Sequence, residues 1–231
     1  MTPAERRLWA ETDGIAKDER SQKFCESLAE RGLAVQTGRE AIADAELVLL
    51  AVPDAAIAEV AQRVPIGPWI AHVSGATSLA ALDPHARRFS VHPLQTLSTQ
   101  RGPEQLDGAF AAVTADTDEA TGAGFWLAET LGLRPFPLAD ADKPLYHAGA
   151  AMASNFLVTL YRAAARLLEE TNAPPEALVP LMTRTIENGF ALTGPIARGD
   201  WSTVDAHLRA LEERAPDLVP LYRELAESTR P

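Results

Sequence analysis

The sequence predicts an α/β protein: a mainly parallel β-sheet that lacks its first strand, followed by an all-helical second domain. Between about residues 21 and 137, short β-rich runs alternate with helical patterns, which is typical of βα units in a parallel sheet. The apolar run at residues 47–52 is the strongest strand, because such a run suits a strand covered by helices on both faces. After residue 138 the pattern is only helical, so we predict domains at residues 1–138 and 139–231.

The individual elements follow from the apolar runs and their breaks. Strands are predicted at residues 33–36, 47–52, 69–73, 88–92, 109–114 and 134–137, and helices at residues 21–31, 54–63 and 116–131. Upstream of residue 21 we predict only a helix tail at residues 3–10 and a weak strand around residues 12–16. In the second domain, breaks are predicted at Pro174-Pro175, residues 189–199 and Ala215-Pro216.

Composition narrows the function classes. Lys and Arg total 21 against 32 Asp and Glu, so a net charge of -11 disfavours a surface that binds nucleic-acid phosphates. A single cysteine, Cys25, excludes a disulfide framework and a cysteine-rich zinc site, and the five histidines lack metal-binding spacing. No apolar stretch has the length of a membrane span, and the N-terminus carries charge where a signal peptide would be apolar. We therefore expect a cytoplasmic protein with a small-molecule partner and no metal, nucleic acid or membrane.

A glycine-rich loop is the usual sign of a dinucleotide site, because only glycine lets a backbone approach a pyrophosphate at a helix N-terminus. The best match begins at Gly122 and Gly124, but Leu127 stands where the third glycine belongs. The match also lies inside a predicted helix, where small residues favour helix packing. We conclude that the loop and the first strand are missing.

Polar groups follow the predicted strands at the edge where ligands bind in such sheets. Val52, Pro53 and Asp54 end one strand, and Ser74 and His92 stand at the ends of the next two. Ser74 and His92 could bond a nicotinamide or a substrate carbonyl. In the structural alternative these two residues cap short turns, and Asp54 is the N-cap of a helix.

The segment at residues 142–155 carries the strongest chemical pattern. On a helix, Lys143, His147, Ser154 and Asn155 share one face. A buried lysine beside a histidine can supply a proton or hold an anion. In the structural alternative, Lys143 caps a first turn while His147 and Asn155 bond neighbouring backbone groups. The opposite face, predicted to pack, carries Leu145, Met152 and Phe156.

A second polar group lies in the loop between two predicted helices. Arg198 offers a planar fork for a carboxylate or phosphate, and Asp200 could orient it. The structural alternative is an ion pair and a helix N-cap, with Ser202 and Asp205 as a capping box.

Six motifs follow one another along the chain: Ala51-Val52-Pro53-Asp54, His72-x-Ser74-Gly75, Ser90-x-His92-Pro93-Leu94, Asp142-Lys143-x3-Tyr146-His147-Ala148, Ser154-Asn155 and Leu192-Thr193-Gly194-Pro195-x2-Arg198-Gly199-Asp200. In this order they resemble Rossmann-like proteins with a DUF2520 C-terminal domain. That family is similar to pyrroline-5-carboxylate reductases, ketopantoate reductases and 3-hydroxyacid dehydrogenases. In those enzymes a helical domain completes a site that faces the nicotinamide and often builds a dimer.

The resemblance implies an NAD(P)-dependent oxidoreductase that reduces a small carbonyl or imine compound and forms a homodimer through its helical domain. Lys143 and Asn155 would hold or protonate the substrate, assisted by His147. The implied cofactor site, for NADP or NAD, comprises Val52, Pro53, Asp54, Ser74 and His92. The implied substrate-binding residues are Ser154, Arg198 and Asp200.

The N-terminus departs from the family pattern, since members normally begin with a strand and a Gly-x-Gly-x-x-Gly loop. This chain opens on Met1-Thr2-Pro3-Ala4. Either the start is assigned too far downstream, or the cofactor site is degenerate. The alternative function is therefore a non-catalytic dimeric binding or regulatory protein that has lost its dinucleotide loop.

Overall fold

The first part of the molecule is a seven-stranded sheet. The computed structural model describes residues 7–11, 31–32, 34–37, 42, 45–98 and 100–230, with only the backbone for 7–11 and 34–37. The strands run in the order β2-β1-β3-β4-β5-β6-β7, and only the β5/β6 pair is antiparallel. The predicted mainly parallel sheet is thus confirmed. Its strands are β1 Arg7–Glu11, β2 Ala34–Thr37, β3 Leu47–Leu50, β4 Trp69–His72, β5 Arg88–Pro93, β6 Phe110–Ala115 and β7 Arg134–Pro137.

The expectation that the first strand is missing is wrong. Arg7–Glu11 forms β1, which pairs in parallel with β2 on one side and β3 on the other. This five-residue segment carries a charge at each end, so it has no long apolar run, and pairing on both sides overrides its weak local preference. The predicted helix tail is wrong over residues 7–10. The weak strand at residues 12–16 and nearly all of the predicted helix at residues 21–31 lie outside the described residues.

Both faces of β3 and β4 are buried, which explains the continuous apolar run in β3. Leu47 and Leu49 belong to one buried cluster, and Val48 and Leu50 to the other. One face packs against α2, Asp118–Thr130, where a Cβ on Gly124 would lie 2.5 Å from Cγ1 of Val113. The interpretation of this segment as helix is therefore confirmed, with Gly124 at a packing contact and Gly122 on the exposed side of α2. On the other face, the short helix α1 spans Ile57–Ala61, after a 3-10 turn at Asp54–Ala56.

The chain divides into two compact units, Met1–Ala151 and Met152–Pro231. The division falls after residue 151, whereas the sequence predicts the helical domain from residue 139. The helix α3, Lys143–Ala151, which follows a 3-10 turn at Asp140–Asp142, belongs to the first unit. It does so because Lys143 is bonded to the sheet.

All regular elements of the second unit are helices in its described residues, as predicted. A π-helical turn at Met152–Phe156 is followed by four α-helices. Helices end or begin at each of the predicted breaks. No helix in the described part of the chain is long and apolar enough to cross a membrane. The four helices are α4 Leu157–Glu169, α5 Leu178–Glu187, α6 Trp201–Arg214 and α7 Val219–Ser228.

Candidate active site

The candidate site lies at the carboxyl edge of β3, β4 and β5. These strands are parallel, so their ends meet at one edge of the sheet. Leu50, His72, Ser90 and Thr114 are register partners across β3 to β6, so their side chains share one face. Beyond Leu50, three buried polar side chains, His72, Ser90 and Thr114, therefore form a polar row across the sheet.

Lys143 lies on this row. Its side chain is almost completely buried at 1% exposure, and its Nζ donates to Ser90 Oγ at 2.7 Å and to the Ser74 carbonyl at 3.3 Å. These contacts join α3 to β5 and to the loop after β4, so Lys143 is not a cap of its own helix. Burial lowers the pKa of Lys143 from 10.5 to about 8, against the opposing charges of Asp140 and Asp54. An amine that titrates close to neutral pH is suited to proton transfer.

His92 and Tyr146 form a hydrogen-bonded pair next to Lys143. His92 Nδ1 lies 2.8 Å from the Tyr146 hydroxyl, and their ring centroids are 5.6 Å apart. Burial, followed by the charges of His147 and Lys143, lowers the pKa of His92 to about 4. Burial also raises the pKa of Tyr146 to about 12. Near neutral pH the pair is therefore a neutral imidazole and a protonated phenol.

Helix periodicity places Tyr146 on the same face of α3 as Lys143. Lys143, Tyr146 and His147 are three and four residues apart on α3, so they share one helix face. The His147 ring lies 6.1 Å from that of His92, and the Phe136 ring 6.1 Å from that of Tyr146. Within α3, the face that carries Lys143 and His147 is thus the face that meets the sheet.

Gly75 lets the His92 ring lie directly against the backbone. A Cβ at residue 75 would stand 2.8 to 2.9 Å from three atoms of that ring, which is closer than real contacts allow. The position of His92 therefore depends on the absence of a side chain at residue 75.

Gly75→Ala is expected to displace the His92 ring and lower the free energy of unfolding by about 1–3 kcal/mol, the usual range for overpacking. Gly149→Ala is the matched control, because a Cβ at that helical glycine meets nothing within 4 Å. The control is expected to stabilise the protein by up to about 1 kcal/mol, since alanine favours helix over glycine. Urea unfolding measures both values. Equal effects of the two variants would show that Gly75 does not hold His92 in place.

Ser74 and Asp54 are bound to each other. Ser74 Oγ donates to Asp54 Oδ2 at 2.7 Å and accepts the backbone N–H groups of Ala76 and Thr77. Ser74 therefore caps the turn after β4, as in its structural alternative. The predicted N-cap role of Asp54 is wrong, because Pro53 occupies the cap position and Asp54 begins the turn. Val52 is buried in the core, while Pro53 and Asp54 are exposed.

His72 is fully buried in the polar row. Its Nδ1 accepts the backbone N–H of Ser74 at 3.2 Å, which places the ring proton on Nε2. Among the described residues Nε2 has no hydrogen-bond partner. Burial, then the charge of Lys143, lowers the pKa of His72 to about 4, so this ring is neutral at physiological pH.

The site includes residues to which the sequence analysis gave no role. Ser90 stands two positions before the predicted His92 on β5, and Tyr146 follows Lys143 by three positions on α3. Strand and helix periodicity could therefore have found Ser90 and Tyr146. Asp140 had no such signal, because its partners are Ser78 and Leu79, more than 60 residues away.

The other predicted site residues belong to the second unit. Ser154 and Asn155 lie in the π-helical turn. The Arg198 guanidinium donates to the Thr193 carbonyl. Asp200 is the N-cap of α6 and accepts bonds from Thr203 and Ser202, which lower the pKa of its carboxyl. These contacts favour the capping alternative for Asp200, although the capping box predicted for Ser202 and Asp205 is not the one formed.

The prediction that one face of residues 142–156 packs in the core is wrong. Leu145 is 79% exposed, Met152 64% and Phe156 56%. In α3 the cause is that polar bonds from Lys143 and Tyr146 attach the opposite face to the sheet.

Comparison with solved structures shows the same fold. A Bacteroides fragilis protein described as a candidate NADP oxidoreductase is 22% identical and superposes with a TM-score of 0.75, covering 97% of this chain and 98% of its own. A Thermotoga maritima protein is 24% identical with a TM-score of 0.71, covering 95% and 98%. The 1-pyrroline-5-carboxylate reductase of Streptococcus pyogenes is 16% identical with a TM-score of 0.58, covering 96% of each chain. A search of curated proteins finds no match.

Family comparison agrees with the motif order. A Rossmann-like domain matches residues 18–96. The family described as a domain of unknown function, DUF2520, matches residues 109–229, which is more than half of the 231 residues. The resemblance seen in the six sequence motifs is confirmed, and the chain belongs to the DUF2520 family.

Proposed function

We propose that the chain is an NAD(P)-dependent oxidoreductase that reduces a small carbonyl or imine compound. The observation that carries the proposal is the buried Lys143 ammonium, held at the carboxyl edge of the sheet beside the His92–Tyr146 pair. The similar Bacteroides fragilis and Streptococcus pyogenes structures, described as a candidate NADP oxidoreductase and a pyrroline-carboxylate reductase, support this class. A single cysteine, Cys25, suits a cytoplasmic enzyme.

The sheet edge fits the nicotinamide end of a dinucleotide. With β2 and β3 on opposite sides of β1, the strand order reverses at β1, and ligands bind at such a switch point. Gly75 and the turn after β3 present backbone at this edge. Residues 12–30, which follow β1 along the chain, lie outside the described residues, and their sequence contains one glycine, Gly14, where the usual pattern has three. A bound NAD(P)H supplies a hydride.

In this proposal Lys143 donates the proton that completes the reduction. Its ammonium has three N–H bonds, of which Ser90 and Ser74 accept two in the described part of the chain. The third is directed to the substrate oxygen or nitrogen. The Tyr146 hydroxyl, oriented by His92, positions the same atom. Burial of Lys143 excludes water and strengthens its electrostatic effect on the substrate.

Calorimetric titration with NADPH and with NADH tests the proposal. We expect one of them to bind with a dissociation constant below about 1 mM, the upper end of usual substrate affinities. A panel of small 2-keto acids and cyclic imines would then be screened for oxidation of the bound nucleotide. Failure of both nucleotides to bind would overturn the proposed activity.

The second candidate function is a non-catalytic dimeric binding or regulatory protein. The single glycine in residues 12–30 favours it, because one glycine does not form the usual pyrophosphate loop.

In both candidates we propose a homodimer through the helical unit, whose exposed apolar side chains need a partner. Sedimentation velocity is expected to show a dimer, and a monomer would contradict this assembly. The exposed side chains include Val179, Leu181, Ile186, Phe190 and Leu192.

A further inference from the structure

The turn that leads into α3 carries a carboxylate bound to the loop after β4. Asp140 Oδ2 accepts from Ser78 Oγ at 2.5 Å, and Asp140 Oδ1 accepts the backbone N–H of Leu79 at 2.9 Å. Three residues later, Lys143 Nζ donates to the Ser74 carbonyl of the same loop. The loop at residues 74–79 is therefore held at both ends by side chains from one short segment of chain.

The Asp140 carboxylate also favours the positively charged form of Lys143. Asp140 is the larger of two charges that favour the protonated amine, and Asp54 is the other. Asp54 is itself held by Ser74 Oγ, at the end of this loop that Lys143 also binds. The other titratable groups that interact with Lys143 are His72 on β4 and His92 on β5. Since both imidazoles are neutral near pH 7, the two carboxylates supply the counter-charge of Lys143.

We infer that Asp140 is the positioning residue that holds the Lys143 ammonium against the β4 loop and stabilises its charge. The inference deepens the proposed function, on which its catalytic meaning rests. Among the described residues, the side chain of Asp140 forms its hydrogen bonds with Ser78 and Leu79 and none with the His92–Tyr146 pair. It acts through Lys143, because both side chains bind the loop at residues 74–79 and Asp140 begins the turn that precedes α3.

The test compares Asp140→Asn with Asp142→Asn. Asparagine keeps the size of the side chain and an oxygen for the Leu79 N–H, and it removes the charge. Its NH2 group replaces the oxygen that accepts from Ser78 Oγ and can instead donate to that hydroxyl. Asp142 lies in the same turn, is exposed, and has no side-chain bond among the described residues, so it is a matched control. The chain has three lysines, Lys17, Lys23 and Lys143, so a lysine side-chain NMR titration is assigned by its difference from Lys143→Met.

We expect Asp140→Asn to lower the midpoint of the Lys143 titration by about 1 pH unit, the usual effect of one nearby opposite charge. Asp142→Asn is expected to leave it unchanged. Ser78→Ala, which keeps the carboxylate but removes one of its anchors, should shift the midpoint in the same direction. A midpoint that stays at the wild-type value in both Asp140→Asn and Ser78→Ala, or that Asp142→Asn lowers equally, would overturn the inference.

The NMR readout separates this inference from the proposed activity, because it needs neither nucleotide nor substrate. If nucleotides fail to bind while Asp140→Asn lowers the midpoint, the proposed function fails and the role of Asp140 stands. If the enzyme is active, the alkaline limb of its kcat profile should move to lower pH in Asp140→Asn. A purely structural role would lower stability without moving the titration or that limb.

Discussion

Replacing Lys143 with Met is expected to reduce turnover by about 10²–10⁴-fold, the usual contribution of a positioned proton donor. Methionine has a similar length but no charge, so it fills the buried site without donating to Ser90 or Ser74. The measurement is single-turnover oxidation of NADPH with the best substrate of the keto acid and imine panel. Unchanged turnover would show that Lys143 has only a structural role.

Stability is expected to stay equal or rise in Lys143→Met. Because burial lowers the pKa of Lys143 from 10.5 to about 8, the folded protein carries a penalty of roughly 3 kcal/mol at neutral pH, which is relieved only as pH rises from about 8 to 10.5. Methionine removes this penalty and also loses two hydrogen bonds. Leu145→Met is the matched control, because Leu145 lies on the same helix and is 79% exposed. Loss of fold in Lys143→Met alone would contradict the expectation.

The second large effect is acid destabilisation through His72. The folded pKa of His72, about 4, is below its unfolded value of 6.5, so the unfolded chain binds more protons between these values. The free energy of unfolding should therefore be fully retained above pH 6.5. It should fall by about 3 kcal/mol as the pH decreases to 4. His92, whose pKa also lies near 4, contributes in the same direction.

His72→Asn isolates this effect. The Asn oxygen can accept the Ser74 N–H in place of Nδ1, while the side chain no longer titrates. Urea unfolding at several values between pH 7 and pH 4 should give a flatter profile for this variant than for the wild type. His207→Asn, at an exposed position on α6, should keep the wild-type slope. Parallel profiles for His72→Asn and the wild type would show that burial of His72 has no such effect.

Much of the candidate site could be predicted from local pattern. Ser74 and His92 follow apolar strands, and Lys143 and His147 share a helix face, so the residues that meet in the first unit were largely identified. The sequence could not predict that the polar face of α3, and not its apolar face, packs against the sheet. An exposed Leu145 and a buried Lys143 reverse the usual order of burial, since two hydrogen bonds offset the burial of the amine.

The sequence by itself determined the alternation of strands and helices, the helical second part and the motif order of the DUF2520 family. These depend on periodicity and on residue types that lie close together along the chain. Tertiary structure alone decided that Arg7–Glu11 is the first strand, because its pairing on two sides replaces a local signal. It also decided that Lys143 meets Ser74 and Ser90, which are 69 and 53 residues away. Contacts over such separations arise from packing of the sheet, and no local pattern encodes them.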